Sequence, residues 1–495
     1  MAAPLVIGID IGTGGVRVLL VDGRDGSVLD RARGDWPVSS PHPGWSEQDP
    51  DTWWSVTATA IGSVVNRLDD PADIKAVAFA GQMHGLVLRD AQGHVLRPAI
   101  LWNDQRTELQ RGAIHDRIGI ARCIELTGKP VLTGFTAPKL AWVQDNEPDN
   151  AGRIASISLP KDHVVFRATG VHAIDVADAS GTSWLDIQTR DWSPEICEAL
   201  GVDPHWLPPV HECSDVVGSI TAEAAALTGL TEGTPVVAGA GDQAASGLAC
   251  GVTEPGLVSV TIGTSGVVFA QADAPPRDPN GSLHGFCHAI EHRWHWMGCM
   301  LAAGGSLEWF RDTVAPGSSF DELIDEAMSV VPGSEGLCFL PYLSGERCPH
   351  DDPRASGAFI GITTRHERRH LSRAVLEGIT FGLADMLQLV RDTGQPVETV
   401  RLAGGAARSG PWRQLLADVF QVRVESVNEP DATAYGAAIL AMVGAQIHPD
   451  AASAANAVVR VTDAIDPSDA DYSKAWSRWR RLYSELAPAM HRLAD

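Results

Sequence analysis

The chain has 495 residues and a formal net charge of −24, with 62 Asp plus Glu against 38 Lys plus Arg. That length exceeds what one hydrophobic core organises, so two or three domains are expected, and the acidity excludes a surface built for nucleic acid or anionic membrane while leaving room for a local basic pocket. No run of about 18 apolar residues offers a membrane span, the N-terminus lacks the basic and apolar regions of a signal peptide, and the eight scattered cysteines without a CxxC read as reduced thiols of a cytoplasmic protein.

The first element is a pair of β-branched runs, Leu5 to Ile9 and Val16 to Val21, joined by Ile11-Gly12-Thr13-Gly14-Gly15-Val16. A glycine-rich tip between such runs predicts a hairpin whose bare amides form an anion nest, with the Thr13 hydroxyl as a further donor. Asp49 and Pro50 predict the cap and first position of a helix through Trp53, Trp54 and Ile61. Ile74 to Ala80 predicts a buried strand delivering Gly81-Gln82-Met83-His84-Gly85, and Ala99 to Trp102 another delivering Asn103-Asp104. Residues 153 to 232 predict short strands and turns with one helix, at Thr221 to Thr228. Val236 to Ala238 predicts a strand ending in Gly239-Ala240-Gly241-Asp242-Gln243, followed by a helix from Ala244 to Cys250.

The opening pattern then returns. Leu257 to Thr261 and Val267 to Ala270 flank Ile262-Gly263-Thr264-Ser265-Gly266-Val267. Two copies predict a duplicated α/β fold that grips a nucleotide between two phosphate-holding turns. His284, His288, His292 and His295 have helix-face spacing, but their tract reads better as two strands around a turn, with surface or core histidines rather than a metal site. Helices are predicted at Leu371 to Val390 and Trp412 to Phe420, with the strand Val400 to Ala403 between them. A last helix, about Asp471 to Leu493, places Tyr472, Trp476, Trp479, Tyr483, Leu486, Met490 and Leu493 on one apolar stripe. The stripe is expected to pack on its own domain, with a homodimer contact as the alternative.

Two acids stand out. Asp10 ends a strand immediately before the first phosphate nest, where a carboxylate beside phosphates calls for Mg²⁺; its plain reading is a turn aspartate. Asp242 follows two glycines that allow close approach to the backbone, and suits the base that takes a proton from an attacking hydroxyl; its plain reading is a helix N-cap. Gly239-x-Gly241-x-x-Ala244 also fits a relaxed dinucleotide fingerprint, but the next strand runs into Gly263-Thr264-Ser265-Gly266 instead of ending in an acid for a ribose. No P-loop occurs. Gly404-Gly405-Ala406-Ala407-Arg408-Ser409, between a strand and a helix, fits either a flat base or ribose against bare backbone or an ordinary turn.

These segments together resemble the FGGY family of carbohydrate kinases. The matching residues include Asp10-x-Gly12-Thr13, Trp45-Ser46-Glu47-Gln48-Asp49-Pro50, Gly81-Gln82-Met83-His84-Gly85, Ile100-Leu101-Trp102-Asn103-Asp104 and Phe135-Thr136-Ala137-Pro138-Lys139-Leu140. Leu159-Pro160-Lys161-Asp162, Gly263-Thr264-Ser265-Gly266 and Leu340-Pro341-Tyr342-Leu343-Ser344-Gly345-Glu346-Arg347 extend the match.

The resemblance implies two ribonuclease-H-like domains of the actin and hexokinase type flanking a cleft. It implies a sugar-binding domain over residues 1–250, a nucleotide-binding domain over 251–445 and a helical extension over 446–495 packed on the second domain. It further implies ATP and Mg²⁺, with a ketose as substrate: D-xylulose as first choice, and ribulose, an alditol or glycerol as alternatives. Asp242 and Asp10 become the catalytic acids, with Asp10 at the metal. Met83, His84, Trp102, Asn103, Asp104 and Gln243 fall at the substrate. Gly12, Thr13, Gly14, Arg17, Gly263, Thr264, Ser265, Gly404, Gly405, Ala406 and Arg408 fall at the nucleotide. The family's D-xylulose-phosphorylating members usually carry Lys at position 17 and Asn at 243; Gln243 matches the glycerol-phosphorylating ones. An actin- or chaperone-like ATPase and a sugar-sensing pseudokinase are the rival classes. A missing peptide-binding domain counts against the first, and intact Asp10 and Asp242 against the second.

Overall fold

The computed structural model of the chain describes residues 4–494 and divides into two compact units. In the first, strands β1 (Leu5–Ile11), β2 (Gly15–Asp22), β3 (Val28–Asp35), β4 (Ile74–Gly81), β5 (Val216–Ser219) and β6 (Pro235–Gly241) form a sheet of order β5-β6-β4-β1-β2-β3. β1 and β2 pair antiparallel with Ile11 opposite Val16, so the glycine tip closes a hairpin as expected. β4 runs parallel to β1, and β6 parallel to β4. β1 is buried along its whole length, as a strand covered on both faces requires.

The second unit repeats this plan. β7 (Gly256–Ile262), β8 (Gly266–Ala272), β9 (Trp294–Met300), β10 (Val397–Gly404), β11 (Arg423–Val427) and β12 (Val461–Ile465) run in the order β9-β8-β7-β10-β11-β12. Ile262 opposes Gly266 across the second hairpin, β10 is parallel to β7, and β11 is parallel to β10. The duplicated turn is therefore one mark of a duplicated topology.

Helix Pro50–Val65 is capped by Asp49, whose side chain accepts from the Asp51 amide, and it buries Trp53, Trp54 and Ile61 against the first sheet. A separate apolar cluster around Leu140, Trp184 and Ile196 holds the segments inserted between β4 and β5. There the sequence reading falls short. Pro160–Thr169 and Pro194–Leu200 are helices, each starting with a proline and ending on a left-handed glycine, Gly170 and Gly201. Neither shows a clean 3.6 period: Pro160–Thr169 is buried on almost every side, and Pro194–Leu200 is two turns long with only Ile196 and Cys197 buried. Ala99 to Trp102 shrinks to a two-residue strand, Ala99–Ile100.

The compact units do not follow chain order in two places: Asp273–His295 and Asp431–Val459 return to the first unit. The second return has a steric cause. Helix Ala432–Gly444 lies so close on β1 that a Cβ on Gly8 would come 2.1 Å from the Ala434 carbonyl, and one on Gly436 would come 2.0 Å from that of Ala245. Only glycines at both contacts admit that packing. The last helix, Ser473–Ala494, docks within the second unit: Trp476 Nε1 donates to Asp385 Oδ1 (2.8 Å), Trp479 Nε1 to the Phe339 carbonyl (2.7 Å) and the Tyr483 hydroxyl to Asp352 Oδ2 (2.8 Å). Leu493 lies beyond this contact and is 85% exposed. Among the described residues no helix is long and apolar enough to cross a membrane.

Candidate active site

Three parallel strands of the first unit end side by side. Ile11 on β1 pairs with Gly81 on β4, which pairs with Gly241 on β6. Asp10, Gln82 and Asp242 thus emerge at the same edge, which in open α/β sheets is where ligands bind. The β6 end depends on Gly239, whose φ is +80° and whose Cβ would fall 1.7 Å from the Phe79 carbonyl. Asp242 opens helix Asp242–Ala249, but Gly241 occupies the cap position, so the N-cap reading of Asp242 is set aside. Burial, then the nearby Asp10 carboxylate, raise the Asp242 pKa to about 7, against hydrogen bonds from Gln243 that lower it. A carboxylate with that value can exchange protons at neutral pH.

Asp10 is 6% exposed, and burial lifts it to about 6 despite Arg17. Arg17 Nη1 lies 3.4 Å from Asp10 Oδ2, while its Nε lies 3.4 Å from Asp431 Oδ1. Arg31 and Arg33 also reach Asp431. Arg17 is therefore tied between two acids. Asp10 Oδ1, by contrast, is buried with no hydrogen-bond partner among the described residues. A lone hard oxygen beside a glycine nest fits one carboxylate ligand of a magnesium ion otherwise held by phosphates and water. No cluster of three or more His, Cys, Asp or Glu suited to a metal occurs among the described residues. His284, His288 and His295 are core residues, as expected.

The first turn is braced by Trp36, Gln48 and Gln82, to which the sequence reading assigns no role, and by Trp102, which it places at the substrate. Gln48 Nε2 and Trp36 Nε1 donate to the Thr13 carbonyl (2.6 and 3.1 Å). Thr13 Oγ1 donates to Gln82 Oε1 (3.1 Å) and accepts from Trp102 Nε1 (2.9 Å). Trp102 thus spends its only donor on the turn, and Thr13 its proton on Gln82. A Cβ at Gly14 would meet nothing within 4 Å, so the tip is open to a ligand.

Met83 and His84 follow β4 into the same region. His84 has φ +67°, a strained setting for a side chain of this size; its Nδ1 donates to the Gly181 carbonyl (2.8 Å), and its own carbonyl accepts from Thr136 and Lys139. Met83 touches Gly241, directly behind Asp242, and Gly181. Asp104 is corrected to a structural role. It is fully buried, with Oδ2 accepting from the Ser46 amide (2.6 Å) and both oxygens bound by Arg106, which stacks 3.5 Å from the Trp45 ring. Asn103 is exposed and Gln243 partly so.

In the second unit a cavity of about 450 Å³ is lined by Gly263, Thr264, Gly304, Gly405, Ala406 and Arg408, with Phe320, Ile324 and Trp412 as apolar walls. It joins the second glycine turn to the short 3₁₀ turn Gly405–Arg408 after β10. Ala303, Gly304 and Gly305 brace that turn by donating to the carbonyls of Thr264 and Gly263. Ser265 and Gly404 lie outside the lining, while Glu308 and Asp321, not singled out in the sequence, lie within it.

Phosphate-type turns on duplicated sheets, a poised carboxylate at one strand edge and a nucleoside-sized cavity behind the other turn define a phosphoryl-transfer enzyme. Residues 5–249 match the N-terminal domain of the FGGY family of carbohydrate kinases and residues 258–445 its C-terminal domain, and the chain belongs to that family. It is 40% identical to a xylulose kinase of Escherichia coli K12, over 98% of this chain and all of the relative. It is 39% identical to a xylulose kinase of Bacillus subtilis 168, over 97% and 96% of the two chains. The crystal structure of xylulose kinase from Rhodospirillum rubrum superposes with a TM-score of 0.90 at 31% identity, covering 98% of this chain and 100% of that one.

Proposed function

We propose that this protein transfers the γ-phosphoryl group of ATP to D-xylulose, giving D-xylulose 5-phosphate and ADP. Near-full-length identity to xylulose kinases supports the sugar, and one observation carries the mechanism: Asp242, uncapped and lifted to about 7, beside the Met83-His84 loop. The terminal hydroxyl oxygen of the sugar forms the new bond to phosphorus, the bond from phosphorus to the ADP oxygen breaks, and the hydroxyl proton passes to the Asp242 carboxylate. Gln243 holds the base, and Met83 and His84 shape the sugar side. The Gly12 and Gly263 amides are held by the Gly15 and Ser265 carbonyls, so within the first turn Gly14, at its open tip, and within the second turn Thr264 are the residues whose backbone amides are offered to phosphate. Gly405, Ala406 and Arg408 line the nucleoside cavity. Asp10 would hold Mg²⁺ through Oδ1, and the ion lends positive charge to the phosphates. Arg17 keeps Asp10 turned so that this oxygen stays open. A cytoplasmic location fits eight mostly buried cysteines, none of them joined in a disulfide among the described residues.

Gln243 supports a second reading, a kinase for another ketose or a polyol. A panel of ketoses, alditols and glycerol in an ADP-coupled assay decides between them: the first reading expects D-xylulose to have the highest kcat/KM, and a polyol ranking first rejects it. Near-normal turnover by Asp242→Ala rejects the base.

A further inference from the structure

Behind the candidate base lies a buried charge cluster that the mechanism above does not use. Lys161, Asp162, Asp175 and Asp178 are each at most 2% exposed. Lys161 Nζ pairs with Asp162 and, at 2.6 Å, with Asp175 Oδ2. Asp175 Oδ1 accepts the Asp178 amide (2.9 Å) and the Cys213 thiol (3.4 Å). One ammonium thus serves three carboxylates, and two of them take it.

Asp178 is the one left over. It is 0% exposed, and neither side-chain oxygen has a hydrogen-bond partner among the described residues. Its Oδ1 would lie 3.4 Å from a Cβ on Gly241, the residue before Asp242, where Met83 Cγ also packs. Three residues further on, Gly181 accepts from His84. One short segment therefore backs both the base and the residue expected at the ketose.

We propose that Asp178 is an uncharged carboxylic acid and a positioning residue for Asp242, filling the space behind Gly241 without placing a second negative charge behind the base. The proposal rests on the assignment of Asp242 as base. A carboxylate without donors is disfavoured as an ion in a dry interior, and Asp162, Asp175 and Asp242 disfavour it further. Lys161 alone opposes them, and the Asp178 pKa stands well above the ordinary range, burial being the largest cause. The other groups facing the cluster are the Cys213 thiol, raised by burial, and Arg89, whose charge acts on Asp162. With Asp178 neutral, Asp242 ionises against Asp10 only, and its pKa stays near neutrality instead of climbing out of use.

The test compares full-length Asp178→Asn and Asp178→Ala with the wild type by kcat/KM for D-xylulose across pH and by thermal melting. The amide has the shape of the neutral acid, so Asp178→Asn should fold, stay within about threefold of wild-type turnover and keep the acid limb where it was. Asp178→Ala leaves a void behind Gly241, and kcat should fall about tenfold with that limb unmoved. A downward shift of the limb by about one unit in Asp178→Asn shows that a charge stood there, and overturns the proposal. So does a failure of the Asn variant to fold, and so does an Ala variant that loses melting temperature alone with wild-type kcat. The base assignment fails separately, through an active Asp242→Ala.

Discussion

Lowering the pH tests the base with the least disturbance of the fold. Burial and Asp10 set the Asp242 pKa at about 7. Its carboxylate is then about three-quarters ionised at pH 7.5 and about one-tenth ionised at pH 6. A base works only when ionised, so kcat/KM for D-xylulose should fall about eightfold over that interval, whereas a carboxyl of ordinary pKa near 4 would lose about 1%. The assay couples ADP release to an indicator reaction, with coupling enzymes in excess at each pH and Mg²⁺ saturating, since a bound cation holds Asp10 in its ionised form. A profile flat down to pH 5 would refute the reasoning, because no neutral-pH base could then limit the reaction. The same shift has a stability consequence. The folded-state value lies above the unfolded one, so the native state keeps a proton that the unfolded chain releases. That stabilisation is complete below the unfolded pKa near 4 and is lost as pH rises through about 7. Asp242→Asn should therefore melt no lower than wild type at pH 8 while its turnover falls about 10²- to 10⁴-fold.

Asp10→Asn should weaken Mg²⁺ binding, read directly by calorimetry in the presence of a non-hydrolysable ATP analogue, because its open Oδ1 is replaced by an uncharged oxygen. Gly404→Ala forces a side chain onto φ +84° with its Cβ 2.3 Å from the Ile262 carbonyl; it should cost about 2 kcal/mol or more in denaturant unfolding and raise KM for ATP more than for sugar. Trp102→Phe removes the donor to Thr13 Oγ1, and a loss of about 1 kcal/mol with KM for ATP raised is expected if the indole serves the turn rather than the sugar. Trp479→Ala empties a site that is 2% exposed, and about 3–5 kcal/mol of unfolding free energy should be lost from the second unit, visible as an early calorimetric transition.

The residues that announced themselves in the sequence act through their immediate neighbours. The Gly12–Gly15 and Gly263–Gly266 tips, the Asp49-Pro50 cap and the strand before Gly404 each depend on a few consecutive residues, because a turn or a cap is decided by local backbone freedom and one or two hydrogen bonds. Asp10 and Asp242 could be proposed from the same local grammar, a strand followed by glycine and an acid. Which acids stand open was decided elsewhere. Asp104 is spent on Arg106 and Ser46; the Thr13 hydroxyl on Gln82, 69 residues away; and Arg17 on Asp431, which sits at the head of a helix that returns from the far end of the chain. Asp178 reads as an ordinary acid until folding buries it behind Gly241 with one lysine among three carboxylates. Ionisation, partner choice and close packing depend on distance and dielectric, and both are set only when segments hundreds of residues apart are brought together.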